Sequence, residues 1–398
     1  MEPVGEQVAV ITAVDMMLRY FLMPQIRAMR EAGFQVMGIC SPGAGVAELR
    51  EKGLEVETIT IPRSIKPIAD LGALIHLWRV FRKRKVKVVH THTPKAAFLG
   101  QIAALLAGVP VRLTTVHGLF YIAYPPGLRR SLFKFLELFA CRLATHVFCV
   151  SEEDVPVMRQ HMPADKIEWT GNGVNLTQFN PNRFSREQRN QIRRELNIPE
   201  DAFVLGIVAR MVKEKGVREL LEALALVRKD YPNTYVLLVG PIDRSRGDEA
   251  TPELSEQYGV AGNSRWVGER SDVPEMLAAM DVFCLPSYRE GYPVSVIEAG
   301  AMGLPSIVTD VRGCREAVIE GVNGLLVPAK EVQPLADAIR RLHNDAQLHA
   351  QLGHGARRRA EEVFDERKIV NQVLSVYRRL RPTVGPALPL VLGKEDTA

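Results

Sequence analysis

Short and nearly continuous apolar runs recur along this chain, separated by stretches of helical spacing or by polar loops. VAVITAV (8–14), FQVMGIC, LEVETITI, VKVVHTH, VRLTTVHG and ATHVFCVS (144–151) come first; FVLGIVAR, YVLLVG, SRWVGE, DVFCLPS, PSIVTD and NGLLVP follow after a polar interval. Apolar runs without period-two alternation are strands buried on both faces, as parallel strands between two helix layers must be. Interleaved with helices, they predict an α/β protein made of two tandem doubly wound, Rossmann-like parallel sheets. A length of 398 residues lets each sheet bury its own core.

The boundaries follow from composition. A first unit spans 1–175 and ends near GNGVN; 176–200, rich in Pro, Asn and charge, suits a linker carrying a short surface helix; a second unit spans 201–367. A helix at 368–381 is expected to return to the first unit, and the Pro-rich 382–398 is expected to be a loose tail. Five cysteines without a CxxC pair predict reduced thiols and a cytoplasmic setting. The opening MEPVGEQVAVI has no basic leader, so no signal peptide is expected, and Ala96 to Val111 is too short and too broken by Gly, Gln and Pro to span a bilayer.

Charge is unevenly divided. Residues 1–180 carry 21 Lys and Arg against 15 Asp and Glu, whereas 181–398 carry 30 against 31. Between Arg63 and Arg142 there are 14 basic residues against Asp70 and Glu137 alone. The first half therefore owns the positive field, which favours an anionic substrate or membrane surface as partner, with no nucleic acid expected.

The stretch Leu285 to Pro305, LPSYREGYPVSVIEAGAMGLP, places a buried strand, a Gly- and Pro-punctuated loop and a helix in succession, with Glu290 and Glu298 flanking the turn. Unpaired N–H groups and the helix dipole make such a junction an anion site. An acid beside a phosphate seat commonly takes a hydroxyl, as the ribose acid of dinucleotide folds does. Two glutamates eight apart are weak evidence by spacing alone, since either suits an ordinary helix surface. The whole string EGYPVSVIEAGAMGLPSIVTDVRGCREAV, with NGLLVP downstream, resembles the donor-site signature of the family 4 retaining glycosyltransferases, which have the two-domain GT-B fold.

That resemblance implies roles for particular residues. Glu290 would accept hydroxyls of the donor sugar and act in catalysis, and Glu298 would take the ribose hydroxyls. Backbone N–H groups of Gly291, Tyr292 and Val294 would meet the phosphates; Pro293 has none to offer. ARMVKEKG matches the family's R-x-x-x-x-K-G pair, so Arg210 and Lys215 would hold the diphosphate, the former through a bidentate fork. Taken singly, each is more often a solvated surface cation. His117, in TVHG at a strand end, matches the catalytic histidine that faces the donor sugar across the cleft expected between two such units. His90 and His92 alternate onto one strand face; without a third ligand nearby, a polar wall on the acceptor side, His92 with Lys95, is preferred to a metal site.

No metal or other cofactor is expected. The chain lacks the Asp-x-Asp pair of metal-dependent glycosyltransferases and any G-x-x-x-x-G-K-[ST] loop, so leaving-group charge falls to Arg210, Lys215 and oriented amides. LRRSLFKFLELFACRL (128–143) sets Arg130, Lys134 and Glu137 along one side and Leu132, Phe135, Leu136, Phe139 and Leu143 along another. It suits a core helix with a solvated face, or a helix lying on anionic lipid with Arg129, Arg130 and Lys134 toward the membrane. Two departures from the family stand out: AVDMMLRYF replaces a Gly-Gly loop after the first strand, and a longer excursion, GPIDRSRGDEATPE, follows Gly240. THTPKAAFLGQIAALLAGVPVRLTTVHG further resembles members that build glycans on a polyprenyl diphosphate. The expected activity is metal-independent, retaining transfer of a hexose or N-acetylhexosamine from a UDP-sugar to a lipid-linked saccharide at the inner face of a bacterial membrane. A nucleotide-sugar 2-epimerase and a non-catalytic partner of a membrane glycan complex are the alternatives.

Overall fold

The computed structural model describes residues 5–62, 64–244 and 247–380. The chain divides into two compact units, 1–171 with 367–398, and 172–366. Each is built on one all-parallel sheet, so the two tandem α/β units expected from the apolar runs are present.

In the first unit the strands are β1 (Gln7–Ile11), β2 (Gln35–Cys40), β3 (Glu55–Thr58), β4 (Val88–Thr91), β5 (Val111–Val116), β6 (His146–Cys149) and β7 (Ile167–Trp169). Their spatial order is β3-β2-β1-β4-β5-β6-β7, with the reversal of direction between β1 and β4. Val8 and Val10 of β1 enter one apolar layer with Leu18, Ile26 and Phe34, while Ala9 and Ile11 enter the opposite layer with Leu77, Phe81 and Leu99. Both faces of β1 are thus covered, which is why its sequence shows no polar alternation. The last helix, Glu366–Leu380, adds Val373, Leu374, Val376 and Tyr377 to the first of those layers. Its Tyr377 ring packs edge-on against Phe34 with centroids 5.7 Å apart.

In the second unit β8 (Phe203–Val208), β9 (Thr234–Val239), β10 (Ser264–Gly268), β11 (Val282–Leu285), β12 (Ser306–Thr309) and β13 (Gly324–Val327) run in the order β10-β9-β8-β11-β12-β13. Here the direction reverses between β8 and β11, so the segments leaving these two neighbours diverge and open a crevice at their C-terminal ends.

The structure differs from the sequence reading in two places. The stretch read as a linker, 176–200, lies inside the second unit. Its helix Arg186–Glu195 is held there by Arg193, which donates both Nη2 bonds to Asp281 at 2.9 Å and further bonds to Ala279, Glu200 and Ala202 carbonyls. Surface polarity in the sequence concealed this anchor. The helix Leu128–Leu143 also turns otherwise than expected: Glu137 is buried, whereas Leu132 and Phe135 stand 46% and 60% exposed. The reason is that Glu137 accepts hydrogen bonds from the Phe120 and Tyr121 backbone N–H groups at 3.2 and 3.3 Å, and burial pushes its pKa up to about 7. The segment after β1 is helical, opening with a π-helical turn, Met17–Leu22, before the α-helix Met23–Glu31. The expected tail, 382–398, and residues 1–4 of the start lie outside the described residues.

Candidate functional site

Two segments leave the reversal point of the second sheet, one after β8 and one after β11. The first carries Arg210 and Lys215, the second Ser287, Glu290 and the helix Val294–Ala301. Gly216 joins them: at φ +71 it adopts a left-handed conformation, and a Cβ there would collide with the Pro286 carbonyl. Glycine therefore lets the Lys215 turn lie against the end of β11, where the Tyr288 N–H also donates to the Glu214 carbonyl at 2.8 Å.

That approach puts Lys215 Nζ 2.6 Å from Glu290 Oε1. The same oxygen accepts the Ser287 hydroxyl at 2.6 Å, and the carbonyl of Ser287 accepts the Thr309 hydroxyl. Glu290 is consequently held through one oxygen, with its side chain 9% exposed. Ser287 and Thr309 were not singled out from sequence; a serine three residues before the glutamate is too common a spacing to signal a clamp. Arg210 Nη1 lies 2.6 Å from Asp243 Oδ2 and its Nη2 3.5 Å from Glu214 Oε1. Asp243 belongs to the excursion after Gly240, which is stitched to the Arg210 loop by Met211 N–H to Pro241 O at 2.8 Å, Lys213 N–H to Asp248 O at 2.7 Å and Ala250 N–H to Met211 O at 3.0 Å. The unexplained insertion is thus a brace for the loop that carries both cations.

Gly291, Tyr292 and Val294 lead into the helix with Pro293 at its N-cap. Gly313, at φ +78, packs where a Cβ would meet the Gly291 carbonyl, and Asn172 donates to the Tyr292 carbonyl at 3.2 Å. The turn is thereby fixed with the first N–H groups of the helix outside its own hydrogen-bond ladder. Glu298 lies about one turn into the helix. Its carboxyl has no hydrogen-bond partner among the described residues, and burial pushes its pKa up to about 7.

The sign of the pH effect follows from linkage. An ordinary glutamate ionises near 4.5, so the stability Glu298 contributes is complete below that pH and is lost as pH rises through 7. Glu298→Gln should therefore raise the melting temperature at pH 8 by a few degrees, with the gain vanishing near pH 4. Identical melting curves at pH 8 would dismiss the burial argument.

In the first unit, His117 follows β5 and is half-buried; His92 follows β4, beside the reversal point, and is buried. His117 Nε2 lies 3.2 Å from His92 Nδ1, and the ring of His90 packs against His92 at a tilt of 33° with centroids 4.2 Å apart. Burial pulls the pKa of His117 down to about 4 and that of His92 well below the usual imidazole range. Lys95 is drawn away from these rings into an ion pair with Asp70 at 2.7 Å and a bond to the Ser64 carbonyl at 2.9 Å. Arg129, Arg130 and Lys134 sit over the aromatic turn that precedes their helix: Arg129 is 4.7 Å from the Tyr124 ring centroid, Arg130 and Lys134 are 5.9 and 5.7 Å from that of Tyr121. All five cysteines are buried and outside any disulfide.

Residues 23–178 match the family model for Glycosyltransferase Family 4, and residues 188–359 match that for Glycosyl transferases group 1. The chain is 31% identical over 368 residues to the N,N'-diacetylbacillosaminyl-diphospho-undecaprenol alpha-1,3-N-acetylgalactosaminyltransferase of Campylobacter jejuni, covering 91% of this chain and 95% of that protein. The chain belongs to glycosyltransferase family 4. This family 4 glycosyltransferase is also 29% identical over 353 residues to the UDP-Gal:alpha-D-GlcNAc-diphosphoundecaprenol alpha-1,3-galactosyltransferase of Escherichia coli, covering 86% of this chain and 89% of the relative. Among solved structures, HepE of Anabaena in complex with UDP superimposes with a TM-score of 0.80 at 21% identity, over 94% of this chain and all of that one, which shows the GT-B fold.

Proposed function

We propose that this glycosyltransferase moves a hexose or N-acetylhexosamine from a UDP-sugar to a polyprenyl-diphosphate-linked saccharide in bacterial surface-glycan synthesis, with retention at the anomeric carbon and without a metal ion. The observation that carries the reading is the Lys215–Glu290–Ser287 cluster at 2.6 Å, set beside the free head of the 294–301 helix. Arg210 exchanges its carboxylate partners for the oxygens of the diphosphate, and Lys215 reaches them with another of its three N–H donors while keeping Glu290. The N–H groups of Gly291, Tyr292 and Val294 join them at the helix N-terminus. Glu298 accepts the ribose hydroxyls, Glu290 those of the sugar, and His117 is assigned to the same sugar. In the transfer, the bond from the anomeric carbon to the leaving phosphate oxygen breaks and the bond to the acceptor oxygen forms on the same face. The acceptor proton passes to the departing phosphate. Both named relatives act, by their names, on undecaprenol-diphosphate-linked sugars, which supports the acceptor class. Charge on the leaving phosphate is assigned to the two cations and the amides.

The test is incubation with a panel of UDP-sugars, with and without a polyprenyl-diphosphate disaccharide, in EDTA. Transfer with release of UDP and an α-linked product is expected. Conversion of the donor without acceptor would replace the reading by an epimerase, and dependence on added magnesium would remove the metal-independent route.

A lipid-borne acceptor calls for a membrane-facing surface. Among the described residues no helix is long and apolar enough to cross a bilayer. On the helix Leu128–Leu143, Leu128, Leu132 and Phe135 are exposed beside Arg129, Arg130 and Lys134, while Glu137 is withdrawn into the core. This arrangement supports a peripheral site at the inner membrane face. Each basic residue near an anionic surface is worth about 1 kcal/mol. Reversing Arg129, Arg130 and Lys134 to Glu should therefore weaken sedimentation with phosphatidylglycerol vesicles by on the order of a hundredfold or more. Unchanged sedimentation would reject this surface.

A further inference from the structure

Three histidines, His90, His92 and His117, stand in contact in the first unit. His90 is held from both sides, by the Tyr377 hydroxyl at 2.8 Å from Nδ1 and by the Thr115 hydroxyl at 2.8 Å from Nε2, with Gln25 at 3.4 Å. His92 packs against it and is 1% exposed. The His92 Nδ1 faces His117 Nε2 at 3.2 Å, whereas its own Nε2 is buried without a partner among the described residues.

A neutral imidazole has one N–H and one lone pair, so the two rings can share their hydrogen bond in two ways. If His92 carries its proton on Nε2, a buried N–H is orphaned. If it carries the proton on Nδ1, only a lone pair is left unmet, which is the more readily tolerated defect. The second arrangement makes His92 Nδ1–H the donor and His117 Nε2 the acceptor. His117 must then hold its own proton on Nδ1, an atom with no partner among the described residues.

We infer that His92 is a positioning residue for the transfer reaction: it locks His117 in the tautomer protonated at Nδ1, so that His117 offers the donor sugar an N–H and not a base. This rests on the assignment of His117 to the sugar. Burial keeps both rings neutral, in keeping with a donor role that does not change across the physiological range. The acceptor proton accordingly leaves through the phosphate and not through this imidazole.

The tautomer is read directly by 15N NMR of the full chain carrying labelled histidine, at pH 7.5. A protonated Nδ1 and an unprotonated Nε2 are expected for His117; the reverse pattern would overturn the inference. Two variants add a kinetic reading. In His92→Asn the side-chain amide can take the place of Nδ1–H as donor, so the His117 tautomer and turnover should stay near wild type. In His92→Phe the ring volume remains but the donor is lost, so kcat should fall about tenfold with little change in donor KM. Equal losses in the Asn and Phe variants would reduce His92 to a packing residue. The underlying assignment fails separately: full activity of His117→Ala would remove His117 from the sugar, whatever the NMR showed about its tautomer.

Discussion

Glu290→Gln should lower turnover by about two to three orders of magnitude while leaving the second unit folded. The amide keeps the size of the carboxylate and an oxygen for the Ser287 hydroxyl, which lies 2.6 Å from Oε1 in the wild type. On the proposed reading, what disappears is the negative charge that accepts the donor sugar's hydroxyls while its anomeric carbon becomes cation-like as the bond to phosphate lengthens. Removing one preorganised electrostatic partner typically costs ~10²–10³ in kcat, because water cannot reorganise to replace it within the reaction. Steady-state kinetics beside a thermal melt separates this from unfolding. Near-normal kcat in a well-folded variant would exclude Glu290 from the mechanism.

Lys215→Ala is expected to reduce kcat/KM for the donor by about a hundredfold or more, for two reasons. The diphosphate loses a charge-assisted partner, worth about 1.5–3 kcal/mol for a hydrogen bond to an ionised group. In addition Glu290, whose side chain is 9% exposed, loses the cation 2.6 Å away that holds it. Lys215→Arg should restore only part of the loss, since a planar fork does not reproduce a compact ammonium in a site this closed. Calorimetric titration with UDP alone isolates the diphosphate contribution. The same affinity for UDP in Lys215→Ala and wild type would exclude Lys215 from the phosphate seat.

Much of this was legible without coordinates, because the responsible signals are local. Continuous apolar runs such as Val8 to Ile11 and Val282 to Leu285 demand cover on both faces, and both β1 and β11 are buried along these residues. The Gly-bearing turn before Val294 and the positive-φ glycine after Lys215 are backbone requirements, so they leave a mark in the sequence. What escaped notice were contacts between residues distant along the chain. Arg193 belongs to a stretch whose polarity suggested solvent, yet it is spent on Asp281, 88 residues away. Glu137 lies among basic neighbours on its helix, and only its access to the Phe120 and Tyr121 amides explains why it points inward. Lys95, expected to wait for an acceptor, is taken by Asp70.

The sequence by itself determined the class of fold, the strand–loop–helix seat for an anion and the residue types at that seat, because each depends on periodicity or backbone conformation within a few residues. Tertiary structure alone decided which side chains hold the seat together: Ser287 and Lys215 on one oxygen of Glu290, Asp243 on Arg210, His92 on His117. Hydrogen bonds act over about 3 Å, and no pattern along a chain records which distant residues folding will bring that close.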